Sequence, residues 1–422
     1  MDKHYQPKFQ EEYSAKIPAL TLLTSLGWTF LSPKQIMDYR GYKQDEVVLR
    51  PVLREELSKR SFMAGGKTCQ LSEKALDNLI SQVCSPALNE GLLKANERMY
   101  NHLLYGIAVT EFVDGKKVNP TIALIDWEHP ENNQFHFTEE FTVLRSGGVE
   151  TRRPDIVCFV NGIPLAVIEA KSPAGHGKKG PTIDEGISQS IRNQLNDEIP
   201  QLFVYSQLLL SINGHDGRYG TCHTPMKFWA AWREEDITDP QMYALRNHPL
   251  STEQIHALFD HRPSVDLKWY QQLIDGGELA VSGQDKLLIS LLSPERLLEM
   301  TRFFTLFDKK TGKIVARYQQ VFGIKRLLER ISTRRPDGGR EGGVIWHTTG
   351  SGKSYTMVFL SKALILHDSL KQCRIVVVTD RVDLEGQLSG TFVSGGELAG
   401  KDDKAKAMAT SGQKLAQQIG SG

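Results

Sequence analysis

Residues Arg153–Lys171 read RPDIVCFVNGIPLAVIEAK. Two apolar runs, Asp155–Val160 and Leu165–Ala170, flank Asn161-Gly162, a residue pair that tight hairpin turns favour because both positions take positive φ. The stretch is therefore expected to be a hairpin of two buried strands. Asp155 opens the first strand, and Glu169 and Lys171 close the second. Side chains alternate along a strand, so Glu169, Lys171 and Val167 share a face while Ile168 and Ala170 look the other way. Whether Asp155 joins them depends on register. A plain two-residue turn sets Asp155 opposite Ile168, on the wrong face, and one extra residue moves it beside Glu169. Pro164 cannot donate to a ladder and marks a bulge next to the turn, while Pro154 is a second place to bend Asp155 inward.

In that register Asp155 and Glu169 offer hard oxygen ligands to a divalent metal such as Mg²⁺. Lys171 is placed to orient or help deprotonate an attacking water and to counter phosphate charge. An Asp…Glu-x-Lys trio is commonly a surface salt-bridge pattern. Here the acid and the lysine end an otherwise apolar strand, where burying charge without a use is costly. The basic pair Lys178-Lys179 follows at once and suits a phosphate backbone. The pattern favours a nuclease centre.

Around this hairpin the chain changes character. Residues 9–110 carry apolar positions at helical spacing, as in Ile17-Leu20-Leu23-Leu26 and Leu76-Leu79-Ile80-Val83, with Gly27 as a C-cap. From Thr121 the period shifts to two, giving strands at Thr121–Trp127 and Phe135–Leu144 before the hairpin. After it come an exposed loop, Gly175–Thr182, a helix over Ile183–Leu195, and strands at Leu202–Ile212 and Thr224–Ala231 around a turn at Asn213–Gly217. Residues 232–310 read as mainly helical and are expected to bridge two halves.

A second α/β unit starts near Lys313, with a helix through Arg326–Ile331 and buried strands at Val344–His347 and Arg374–Thr379. Between those strands lies His347-Thr348-Thr349-Gly350-Ser351-Gly352-Lys353-Ser354, followed by a helix. This is the ending of a phosphate loop. Thr349, Gly350, Ser351 and Gly352 supply backbone N–H groups to phosphates, Lys353 reaches the β and γ oxygens of ATP, and the Ser354 hydroxyl ligates Mg²⁺. His347 stands where the leading glycine of the motif would be. About thirty residues upstream, Gln320 or Gln319 is placed to read an adenine edge. Asp380 and Arg381, at the end of the last strand, sit where open α/β sheets bind ligands.

Composition adds boundaries. At 422 residues the chain is too long for one core. It has 51 basic and 50 acidic residues, so DNA contact must come from local patches. The five cysteines, Cys69, Cys84, Cys158, Cys222 and Cys373, have no CxxC spacing, which argues against a zinc cage or a disulfide framework. No apolar run approaches the ~18 residues of a membrane span and no signal peptide opens the chain, so a cytoplasmic protein is expected.

Together, LTSLGW, RRPDIVCFVNGIPLAVIEAKSP, QSIRNQ with IPQLFVYSQLLLSING, RYQQVFGI, HTTGSGKS and VVVTDRVDL resemble the restriction (R) subunit of type I restriction-modification enzymes, in order and spacing and over essentially the whole length. The resemblance implies an α/β chain. A mixed-sheet PD-(D/E)xK endonuclease domain over residues 1–235 leads, through a helical connector at 236–312, into an incomplete RecA-like motor domain at 313–422. It implies Mg²⁺ and ATP as cofactors, double-stranded DNA as substrate, cleavage after ATP-driven translocation, and modification (M) and specificity (S) subunits as partners, with no membrane. Asp155, Glu169 and Lys171 become the nuclease triad, an acid near Glu12 completes the metal site, and Gln189 matches a glutamine that follows the triad. Where the family often has a tyrosine, four residues after that glutamine, Asn193 stands. No DExH/DEAD box follows Lys353, so the expectation is nucleotide binding without efficient turnover. Two other readings stay open: a helicase or remodelling ATPase whose front domain only binds DNA, and an inactive truncated subunit.

Overall fold

The computed structural model describes residues 10–173, 182–308, 311–348, 352–367, 369–370, 375–378, 409 and 411–420. They divide between Arg302 and Phe303 into two compact units.

The first unit is built on a six-stranded mixed sheet: β1 (Thr29–Phe30), β2 (Phe135–Glu139), β3 (Ile156–Val160), β4 (Ile163–Ala170), β5 (Leu208–Ile212) and β6 (Gly217–Gly220), in that spatial order. β1 runs parallel to β2 and β4 to β5, while the other neighbours are antiparallel. Parallel neighbours need a crossover. Between β4 and β5 it contains the helix Thr182–Asn193, which packs on both strands. Every residue of β3, β4 and β5 is buried, as strands covered on both faces must be.

The β3–β4 hairpin turns as expected, with Asn161 and Gly162 at φ 51° and 80°. Asn161 is fully buried; its side chain donates to Leu124 O and Asn133 Oδ1 and accepts from Gln134 N, so the turn is bolted to the preceding loop. Gly162 is equally constrained, since a Cβ there would meet Leu49 O at 2.6 Å. Leu165 is the residue out of step: Phe159 pairs with Pro164 and Cys158 with Ala166, a bulge immediately beside Pro164.

At the front, α1 (Ile17–Ser25) follows a π-helical turn at Glu12–Lys16, ends against Gly27 at φ 94°, and leads to Trp28. Trp28 is buried, donates from Nε1 to Leu292 O at 2.7 Å and meets Phe135 edge-on. The mainly helical stretch expected at residues 232–310 is occupied in large part by helices from Asp239–Arg246 to Pro294–Phe303, but its end is instead the strand Thr305–Asp308 of the second unit.

Several strand boundaries differ from expectation. Residues 61–70 form a hairpin inside the helical region, turned by Gly65-Gly66, both at positive φ. Only Thr121–Ile122 of the expected Thr121–Trp127 strand finds a partner, at Ile107–Ala108. Pro200 starts a short helix, Pro200–Phe203, so the strand expected from Leu202 begins at Leu208. Thr224–Ala231 makes one bridge, Ala230 to Tyr219, and the edge strand is instead Gly217–Gly220.

The second unit holds a hairpin, Thr305–Asp308 with Gly312–Val315, the helix Tyr318–Ser332, the helix Lys353–Leu366 and the helix Gly412–Gly420. Neither expected buried strand is present among the described residues. Val344 and Trp346 are 92% and 89% exposed, and residues 375–378 are unpaired and not buried. An apolar run becomes a strand only where a neighbour completes its ladder, and these runs have none among the described residues.

Candidate active site

The bulge at Leu165 sets the register that matters. With Ile156 opposite Ile168, one further step brings Asp155 beside Glu169. Asp155 Oδ2 accepts the backbone N–H of Ala170 at 2.8 Å and faces Lys171 Nζ at 3.4 Å, while Lys171 Nζ also donates to Ala170 O at 2.7 Å. The trio Asp155, Glu169 and Lys171 is thus assembled at one end of the central strands.

Glu169 is completely buried. The helix Thr182–Asn193, hereafter α2, supplies its partners: Gln189 Nε2 donates to Oε2 at 2.7 Å, and Asn193 Nδ2 lies 3.4 Å from Oε1. Residues four apart share one helix face, so both amides meet the same carboxyl. α2 comes this close because position 186 is glycine. A Cβ on Gly186 would meet Ser211 Oγ at 2.3 Å and Glu169 Cβ at 3.4 Å.

Burial first, and then the charge of Asp155, push the Glu169 carboxyl well above the usual carboxylate range, with Lys171 pulling the other way. Burial works to lower Lys171, but Asp155, Glu169 and Glu11 outweigh it and raise it. Lys171 is therefore an ammonium at neutral pH. Its charge faces the Asp155 carboxyl at this strand end.

The acid from the first helical turns that reaches this site is Glu11. Its carboxyl is raised by burial and feels the charges of Lys171 and Asp155. The resemblance places an acid near Glu12 here; Glu12 itself pairs with Arg262 and Lys16. Among the described residues no three His, Cys, Asp or Glu side chains converge into a group able to hold a metal.

Lys178 and Lys179 of the first unit lie outside the described residues, as do Thr349, Gly350, Ser351, Asp380 and Arg381 of the second. Gly352 has φ 85° in the left-handed region and caps the helix Lys353–Leu366, whose first turn carries Lys353 and Ser354. Lys353 Nζ donates to His347 O at 2.9 Å. Gln320 is buried with both ends of its amide engaged: Oε1 accepts from Arg317 N, and Nε2 donates to Gly352 O and Thr356 Oγ1, each at 3.2 Å. In this arrangement it ties the start of the helix Lys353–Leu366 to the start of the helix Tyr318–Ser332.

The fold and these sites define a two-part mixed α/β chain: a sheet whose centre ends in two carboxylates and a lysine, then a unit with a glycine-capped helix. The chain belongs to the family of the type I restriction enzyme R protein N terminus, whose model matches residues 8–228, while a SWI2/SNF2 ATPase model matches residues 319–422. It is 32% identical over 394 residues to the type I restriction enzyme HindI endonuclease subunit of Haemophilus influenzae, covering 90% of this chain and 33% of that protein. It is 27% identical over 407 residues to MjaIXP of Methanocaldococcus jannaschii, described as a candidate type I restriction enzyme endonuclease subunit, covering 92% of this chain and 34% of that one. The chain thus spans about a third of the length of these relatives. No helix among the described residues is long and apolar enough to cross a membrane.

Proposed function

We propose that this chain is the nuclease and leading motor portion of a type I restriction endonuclease subunit. It cuts double-stranded DNA at a Mg²⁺-dependent PD-(D/E)xK centre after ATP-driven translocation, in a cytoplasmic complex with modification and specificity subunits. The observation that carries the reading is the bulge-set register that brings Asp155 to the Glu169–Lys171 strand end.

The donor set fits Mg²⁺, which is commonly held by one or two carboxylates and keeps several waters. Asp155 and Glu169 would hold it, with Glu11 close by. A buried carboxyl whose ionisation is opposed by a neighbouring acid is one that a cation between the two would satisfy. Once bound, the ion would polarise the scissile phosphate and activate water. Gln189 and Asn193 hold Glu169 in one orientation, while Lys171 neutralises the phosphate and orients the attacking water. In the second unit, a RecA-like lobe in this reading, residues 349–352 and Lys353 hold the phosphates of ATP, and Ser354 holds its Mg²⁺.

The reading is tested with unmethylated circular DNA, the full-length subunit and its modification and specificity partners. Cleavage should require both Mg²⁺ and ATP, and Lys353→Ala should abolish it. Cutting without ATP, or at full rate in the lysine variant, would refute the motor-coupled nuclease.

A further inference from the structure

Asn193 is 1% exposed and lies one helical turn beyond Gln189 on α2. A carboxamide has one donor end and one acceptor end. Here the oxygen end is taken, because Arg192 Nη2 donates to Asn193 Oδ1 at 3.1 Å. A guanidinium has no acceptor, so this contact selects the rotamer in which the NH₂ end faces inward, towards Glu169 Oε1 at 3.4 Å. Gln189 holds the other oxygen at 2.7 Å. Both oxygens of one carboxylate are then gripped from the helix side by neutral donors, leaving their remaining lone pairs for the side where Asp155 stands.

We propose that Asn193, oriented by Arg192, is a positioning residue that presents Glu169 to a divalent cation. The inference rests on the metal-site reading above and deepens it. Groups that orient metal ligands contribute through the metal affinity, and their loss typically weakens it by roughly 10- to 100-fold. A merely structural asparagine would change folding stability and leave that affinity alone.

The test is binding of Mn²⁺, an EPR-visible substitute for Mg²⁺, to the full 422-residue chain without nucleotide. Wild type is compared with Asn193→Ala, Arg192→Ala, the double variant and Glu169→Ala, with thermal unfolding as the control for folding. Glu169→Ala should lose the site, and Asn193→Ala should weaken it by roughly 10-fold. Arg192→Ala should weaken it several-fold, and the double variant should be no weaker than Asn193→Ala alone, since Arg192 acts through the amide. Wild-type affinity in Asn193→Ala, with the site lost in Glu169→Ala, would overturn the proposal and leave the metal site standing. Wild-type affinity in Glu169→Ala would remove both. Should Asn193→Ala not fold, the exposed Arg192→Ala decides: weakened binding supports the relay, and unchanged binding overturns it.

Discussion

Asp155 Oδ2 accepts the backbone N–H of Ala170 at 2.8 Å, a contact that holds its carboxyl beside Glu169 at the end of the neighbouring strand. The two acids meet only because Leu165 bulges out of the ladder between them and the turn. Placing an acid next to a fully buried one has an energetic signature.

Glu169 ionises with difficulty, so its folded-state pKa lies above its ordinary 4.5. The folded state then holds a proton that the unfolded state releases, and stability falls as pH rises from about 4.5 towards the folded pKa. In Mg²⁺-free buffer the slope should approach about 1.4 kcal/mol per pH unit within that window. Glu169→Gln should flatten the profile and be the more stable protein at pH 8. Added Mg²⁺ should stabilise the wild type and not the glutamine variant. Parallel unfolding midpoints for the two proteins from pH 4 to 9 would contradict this account.

Gly186→Ala tests how closely α2 must lie. The new methyl would overlap Ser211 Oγ, and overpacking of this kind costs about 1–3 kcal/mol. It should also lift Gln189 and Asn193 from Glu169, lowering DNA cleavage by more than the stability loss explains. Adding Ser211→Ala removes the clashing oxygen and should restore part of the activity. If the double variant is no better than Gly186→Ala, steric displacement of the helix is not the cause.

Glu139 gathers the buried cations around the first helix. It is held by Arg262, accepts from His261 Nε2 at 2.8 Å, and lies 3.8 Å from Lys16. Burial raises its carboxyl, but His261, Arg262 and Lys16 outweigh burial and lower it. Its contribution is therefore complete above its ordinary 4.5 and is lost as pH falls through the lower folded value. Glu139→Ala, which strands buried charge, should cost about 3 kcal/mol at pH 7 by denaturant unfolding. A loss below 1 kcal/mol would mean that Glu12 and Asp266 satisfy Arg262 unaided.

Gln320 spends its amide inside the protein, on Arg317, Gly352 and Thr356. Gln320→Ala should therefore loosen the phosphate loop and weaken ATP and GTP binding alike. Equilibrium binding of both nucleotides distinguishes this from adenine recognition, under which only ATP would suffer.

What could be read in advance was local. The Asn161-Gly162 turn, the need for one extra residue by Pro164, and the shared face of Glu169 and Lys171 all follow from turn chemistry and a period of two. Gly186 and Asn193 were silent as Glu169 neighbours because their roles depend on how closely a helix lies on a strand. Gly217–Gly220 was hidden for a related reason: a Cβ on Gly217 would strike Leu287 at 2.5 Å and one on Gly220 would press on the Trp229 ring, so packing demands the residues that strand patterns lack. Glu11 and Glu12 are adjacent in sequence, and only the helix phase decides that Glu11 turns to Lys171 while Glu12 turns to Arg262. The apolar run at Val344–His347 carried a strand pattern without a ladder partner among the described residues.

The most direct measurement is Mg²⁺-dependent cleavage of unmethylated circular DNA by the assembled complex, wild type against Glu169→Ala, with ATP hydrolysis followed in the same reactions. The account predicts that cutting disappears in the variant while hydrolysis continues. Cutting that persists in Glu169→Ala would reduce Asp155, Glu169 and Lys171 to a buried ion-pair arrangement and end the nuclease assignment.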